Sequence, residues 1–255
     1  MENFNTIKLE KNTTYTLLAL NRGKSNPINM EMLNELHTCF NQLKKDESVL
    51  GVILTGQEHF FSVGVDVVEV FNYDREQSKE YWSLLFSLMV KMAKFQKPLI
   101  VTVSGHSPAG GCVLAIPADW RIMVDGSYTI GLNEVPLGII VPENFFHIYS
   151  FWLGRGKAYQ YLLEGKLLSV DQALEHGLID EKCSGETLLK KAEEKMNQYL
   201  RIIPNVFQTS KMNFRRELFV QLDIDFEDSV ETFLDQWWSK ETRATIKGLI
   251  ERLKK

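Results

Sequence analysis

The feature that most limits what this chain can fold into is an alternation of two hydrophobic periods along its first half. The runs TYTLLAL (14–20), VLGVILT (49–55) and PLIVTV (98–103) are short, aliphatic or β-branched and bounded by polar residues, as strands buried in a sheet are. Between the first two, Met30, Leu33, Leu36, Phe40 and Leu43 recur at helical spacing, and a helical stretch from about Gln77 to Phe95 precedes the third. This strand-helix-strand rhythm predicts an α/β core with largely buried strands. From about Val141 onward strand signals nearly vanish and amphipathic helices follow. Pro204 is placed to open one of them, and the last, TRATIKGLIERLKK, ends in the basic turn that a helix C-terminus favours. No repeat, low-complexity segment or Gly/Ser linker separates the two parts, and the expected division is a core over 1–200 and a helical region over 201–255.

Composition removes several classes of function. A chain of 255 residues can bury a substantial core, and its formal net charge of -4 supplies no basic field for nucleic acid or an anionic membrane. Cys39, Cys112 and Cys183 are odd in number and include no C-x-x-C pair, which argues against a disulfide framework or a zinc site and for a reducing compartment. No apolar run approaches the ~18 residues needed to span a bilayer, and the start MENFNTIKLEKN lacks the apolar core of a signal peptide. The expectation is a cytoplasmic protein without membrane, nucleic-acid or metal partners.

Three stretches carry chemistry. In HFFSVGVDVVEV (59–70) an extended run breaks at Gly64 just before an expected helix, which leaves backbone N–H groups around Val63 to face a ligand. In HSPAGGCVLAIPADWRI (106–122) Gly110 and Gly111 stand at a strand-to-helix turn, where the absence of Cβ permits close backbone approach. In IGLNEVPLGII (130–140) Glu134 is the only charged residue between Asp125 and Glu143, and a carboxylate in apolar surroundings is a candidate general base because burial raises its pKa. Other residues read as structural. Asp119 and Arg121 suit an internal ion pair or hydrogen bonds, His106 a satisfied loop position, Cys112 small-residue packing, and Trp237 and Trp238 a core or subunit contact.

In this order the stretches resemble the crotonase superfamily of enoyl-CoA hydratases and isomerases. FSVGVD is similar to its F-S-x-G-x-D stretch, KPLIVTVSGHSPAGGCVLAIPADWRI to its long glycine-rich signature, and GRGKAYQYLLEGKLLSVDQALEHGLIDEKC to the segment that follows. The resemblance implies a crotonase (ClpP-like) α/β fold of repeated ββα units and a C-terminal helical region used in trimerisation, as a homotrimer or dimer of trimers. It also implies an acyl-CoA thioester substrate, with coenzyme A part of that substrate and no separate cofactor. By the same resemblance the amides of Val63 and Gly110 form the oxyanion hole, Glu134 is catalytic, and Ser62, Gly64, Val65, Asp66 and Gly111 bind substrate. Family hydratases carry a second glutamate where this chain has Val113, and PAGGCVLA with IGLNEVPLGIIVP is similar to the Δ3-Δ2-enoyl-CoA isomerases, in which one carboxylate moves one proton. Glu143 stands where those isomerases carry an apolar residue, so hydration assisted by a second acid stays open, as does a non-catalytic acyl-CoA-binding protein.

Overall fold

The computed structural model describes residues 4–223 and 226–253. A hairpin of β1 (Ile7–Lys11) and β2 (Tyr15–Leu20) leads to α1 (Met30–Lys45). Then come β3 (Gly51–Thr55), β4 (His59–Phe60), α2 (Val67–Val70) and the long α3 (Arg75–Ala93). The same order returns in β5 (Leu99–Val103), β6 (Gly105–Pro108) and α4 (Gly110–Ala115), and again in β7 (Trp120–Val124), β8 (Thr129–Gly131) and a single 3-10 turn at Val135–Leu137. These are the repeated strand-strand-helix units that the resemblance implies.

After the opening hairpin, each unit gives its first strand to one sheet and its second to another. The larger sheet runs β1-β2-β3-β5-β7, and all its pairs after the opening hairpin are parallel. Strand β5 is buried at all five residues, which explains why its sequence shows no polar alternation. The short strands β4, β6 and β8 pair in parallel, His59 opposite Gly105 and Ser107 opposite Ile130. Parallel pairing puts their C-terminal ends side by side, so the three chemistry-bearing stretches, each of which continues one of these strands, meet at one edge.

Local signals set the helices. Asn29 accepts the Met32 N–H at the start of α1, and Asp74 and Gln77 form a reciprocal capping box at the start of α3. The remaining chain is mostly helical: α5 (Glu143–Leu153), α6 (Arg155–Glu164), α7 (Val170–Glu175), α8 (Leu188–Leu200), α9 (Pro204–Phe214), α10 (Arg216–Leu222), α11 (Phe226–Trp237) and α12 (Lys240–Leu253). Two short strands interrupt it, β9 (Leu168–Ser169), which joins β8, and β10 (Glu181–Cys183), which extends the large sheet beside β7. Pro204 occupies the first helical position of α9 as expected, and the basic end of α12 is present in Arg252, Lys254 and Lys255 lying outside the described residues. Cys39, Cys112 and Cys183 are free thiols, and none of the described helices is long and apolar enough to cross a membrane.

Asp119 and Arg121 are structural, though not partners of one another. Asp119 accepts the Leu99 N–H at 2.8 Å and pairs with Lys211 at 2.7 Å and Arg215 at 3.2 Å, both from α9 and the turn after it. Arg121 is fully buried, pairs with Asp180 at 2.7 Å and stacks 3.6 Å from the Trp152 ring. These contacts tie α9 to the core. Burial pushes the Lys211 ammonium down to about 8, so its charge leans on Asp119. Asp119→Ala leaves two buried cations without their carboxylate, and thermal or urea unfolding is expected to show a loss of about 3 to 5 kcal/mol.

Candidate active site

The turn after β4 is held from below by the loop between β2 and α1. Asn26 donates to the Phe61 carbonyl at 3.0 Å, the Ser62 hydroxyl donates to the Asn26 carbonyl at 2.6 Å, and the Gly64 N–H donates to the Ser62 hydroxyl at 3.0 Å. Ile28 and Val65 form a parallel bridge in which Ile28 makes both bonds, its N–H to the Gly64 carbonyl and its carbonyl from the Asp66 N–H. In such a bridge the partner's own amide turns to the opposite side. The Val65 N–H therefore points away from Ile28, toward the start of α4.

The start of α4 presses against that turn. A Cβ on Gly110 would stand 3.2 Å from the Val65 nitrogen and 3.2 Å from the Gly64 Cα, while one on Gly111 would lie 2.4 Å from the Ser62 carbonyl oxygen. The two glycines are there because two backbones touch. Gly110 begins the helix, and its N–H is one of the donors that a first turn leaves without an intrahelical acceptor. The amides of Val65 and Gly110 thus stand beside each other, and both residues line one cavity of about 460 Å³.

This geometry revises the expected second donor. The Val63 N–H is already engaged, donating to the Ser25 carbonyl at 2.9 Å, because that peptide belongs to the contact with the β2–α1 loop. The amide two residues later is the one facing Gly110. Ser62, Gly64 and Gly111, expected to bind substrate, stand behind the wall; Ser62 and Gly111 are buried in the turn-to-helix contact. Val63, Val65 and Asp66 do line the cavity. Asp66 is tied up there, pairing with Arg22 at 2.8 Å and capping α2 through the Glu69 N–H.

Glu134 follows β8 and opens the 3-10 turn, whose Leu137 N–H bonds back to the Glu134 carbonyl at 2.9 Å. One of its carboxylate oxygens is sealed from solvent without a hydrogen-bond partner. Burial pushes the carboxyl up to about 7, partly offset by its own amide and that of Asn133. Apart from Ser25, Asp66 and Asn133, the side chains lining the rest of the cavity are apolar: Val113, 1% exposed, lies on the α4 side, and Trp82, Phe86, Phe145, Phe233 and Trp237 form an aromatic wall. Among the described residues lining it, Glu134 is the carboxylate free of a cation, in a chamber that Val65 and Gly110 also line.

The other singled-out residues lie elsewhere. Glu143 begins α5 with its side chain 65% exposed and pairs with His147 at 3.2 Å, off the cavity. His106 accepts the Thr129 N–H at 3.2 Å and packs against Phe60 and Tyr128. Cys112 is buried and its thiol is pushed far up by desolvation. Trp237 is a core residue, with its ring 5.1 Å from Trp82. The aromatic wall has no local motif. It is assembled from α3, α5 and α11, and only the turn-forming NP of KSNPINM hinted that Ser25 and Asn26 would brace the site.

Comparisons with known proteins show the family and the fold. The sequence model of the enoyl-CoA hydratase/isomerase family matches residues 10–255. The chain is 31% identical to a Mus musculus protein named enoyl-CoA delta isomerase 1, mitochondrial, over 93% of this chain and 83% of that one. It is 27% identical to a short-chain-enoyl-CoA hydratase of Clostridium acetobutylicum over 98% and 96% of the two chains. The crystal structure of human mitochondrial delta3-delta2-enoyl-CoA isomerase superposes with a TM-score of 0.94 at 27% identity, covering 98% of each chain. An enoyl-CoA hydratase from Bacillus halodurans, 18% identical over 96% of this chain and 100% of that one, superposes at 0.88 and shares the crotonase fold.

Proposed function

Because the chain belongs to the enoyl-CoA hydratase/isomerase family, we propose that its cavity holds an acyl-CoA thioester and that Glu134 moves the double bond of a 3-enoyl-CoA to the trans-2 position. The observation that carries this is a carboxylate without a cation in a largely apolar chamber, with Val113 rather than an acid on the facing helix.

Glu134 takes a proton from C2, and the electron pair spreads over the C3–C4 double bond and the thioester carbonyl as a dienolate. The same carboxyl, now protonated, returns the proton to C4, which leaves the double bond between C2 and C3. The charge that gathers on the thioester oxygen meets the Val65 and Gly110 amides, and removing one such donor costs roughly 2.7 to 4 kcal/mol in comparable sites. A proton transfer of this kind draws on no redox group or metal, and coenzyme A enters as part of the substrate.

Hydration is the second reading, favoured by the hydratase among the relatives. Adding water across a double bond calls for a group to activate the water and another to protonate carbon. Glu143, the candidate for the extra role, points to His147 and solvent. A protein that binds acyl-CoA without turning it over is the reading from another class. One assay separates all three: with a 3-enoyl-CoA, isomerisation raises the absorbance of the conjugated enoyl thioester; with a 2-enoyl-CoA, hydration lowers it; binding without either change indicates a non-catalytic protein.

The raised carboxyl of Glu134 gives a pH signature. The base must be ionised in the free enzyme, so kcat/KM is expected to be low at pH 5, half-maximal near pH 7 and flat above about pH 8. A midpoint near the ordinary glutamate value of 4.5 removes Glu134 from the role.

A trimer or dimer of trimers is the assembly we favour. Ile203, Phe214 and Val220 in the C-terminal part are 69%, 81% and 72% exposed, a load of apolar surface that association would cover. The three free thiols suit the reducing cytoplasm.

A further inference from the structure

Ala109, the residue just before α4, has φ 48° and ψ -121°, a conformation that L residues with a Cβ rarely adopt. Among the described residues two other non-glycines have positive φ, Asn26 and His59, and both belong to residue types that visit that region more readily than alanine. A strained residue persists only where its surroundings over-determine it. Ala109 is fixed at three points. Its N–H donates to the Gly131 carbonyl at 2.8 Å, its carbonyl accepts the Val113 N–H at 3.0 Å, and its methyl packs against Gly64, where an added Cβ would stand 3.2 Å away.

The angle ψ at Ala109 sets the plane of the peptide that joins it to Gly110, and with it the direction of the Gly110 N–H. We propose that Ala109 is a positioning residue: its methyl, wedged against Gly64, holds that peptide in the one orientation that aims the Gly110 amide into the cavity. Glycine could occupy the same place without strain, but it would also allow the peptide to rotate and the donor to turn away. Alanine thus gives up some stability for a preorganised donor, the condition under which such donors accelerate reactions.

The inference rests on the acyl-CoA reading of the cavity, and its test reads the oxyanion site apart from isomerisation. Ala109→Gly is expected to melt about 2 to 4 °C higher through relief of strain, yet to lose about tenfold in kcat with KM within twofold. A 3-ketoacyl-CoA serves as the optical probe. Its enolate absorbs in the near ultraviolet and is stabilised by the same amides, so the band on binding should be weaker in Ala109→Gly than in the wild type. Ala109→Ser, which keeps the Cβ, should retain both kcat and the band within twofold. Wild-type kcat and an undiminished band in Ala109→Gly would overturn the proposal, as would an equal loss in Ala109→Ser. An enolate band in a wild type that shows no isomerisation would leave Ala109 in its role and refute the isomerase reading alone.

Discussion

Glu134→Gln is expected to lower 3-enoyl-CoA isomerisation by about 10⁴-fold, the upper end of what one positioned proton-transfer group contributes, while acyl-CoA affinity stays within about tenfold. The amide keeps the shape of the side chain but cannot accept the C2 proton. The same substitution should make the protein more stable. Because the folded-state carboxyl lies at about 7, above its ordinary 4.5, the fold favours the neutral form. The cost of the charge is absent below pH 4.5, grows as pH rises, and is fully present above pH 7, where it is on the order of 3 kcal/mol. Glutamine carries no charge, so wild-type and mutant stabilities should agree at pH 4 and diverge by pH 8. Full activity in the purified mutant would remove Glu134 from the mechanism, and equal stability at pH 8 would mean that water reaches the carboxylate.

Val113→Glu is expected to produce hydration of a 2-enoyl-CoA where the wild type shows only a trace. Val113 is 1% exposed, lines the cavity, and sits one helical turn beyond the Gly110 amide. A carboxylate there would supply the second group that water addition needs, a contribution typically worth between about 10² and 10⁴ in rate. The gain should fall at the lower end of that range, because a chamber shaped around valine desolvates the new carboxyl and raises its pKa. The measurement is loss of conjugated enoyl absorbance at equal folded concentration. A folded mutant with no gain would place the difference between isomerase and hydratase in water access rather than in the missing acid.

Much of this site is legible in the sequence. Gly110 and Gly111 mark a close approach, and the solitary charge of Glu134 between Asp125 and Glu143 marks the proposed base. The runs at 14–20, 49–55 and 98–103 coincide with β2, β3 and β5, since strands buried on both faces have to be apolar throughout. The second strand of each unit is another matter. Strands β4, β6 and β8 span two to four residues and include His59, Gly105, His106 and Ser107, too short and too polar for any period to register.

The proposed oxyanion donor shows the same division. FSVGVD says that some amide near Gly64 is available, but Val63 and Val65 are the same residue type two positions apart. Nothing local separates them. The choice is made by the β2–α1 loop, whose Ser25 carbonyl takes the Val63 N–H and whose Ile28 takes both bonds of its bridge, which turns the Val65 N–H toward Gly110. Glu143 is a similar case, an acid close in sequence to the proposed base that the first turn of α5 directs toward His147. The sequence by itself determined the buried parallel strands, the glycine turn and the identity of the proposed base, because apolar period, missing Cβ atoms and isolated charge are properties of single residues and their neighbours. The tertiary structure alone decided which amide stands beside Gly110, which acid reaches the cavity and which aromatic rings wall it, because hydrogen-bond partners and packing contacts come from segments tens of residues away that only the folded chain brings together.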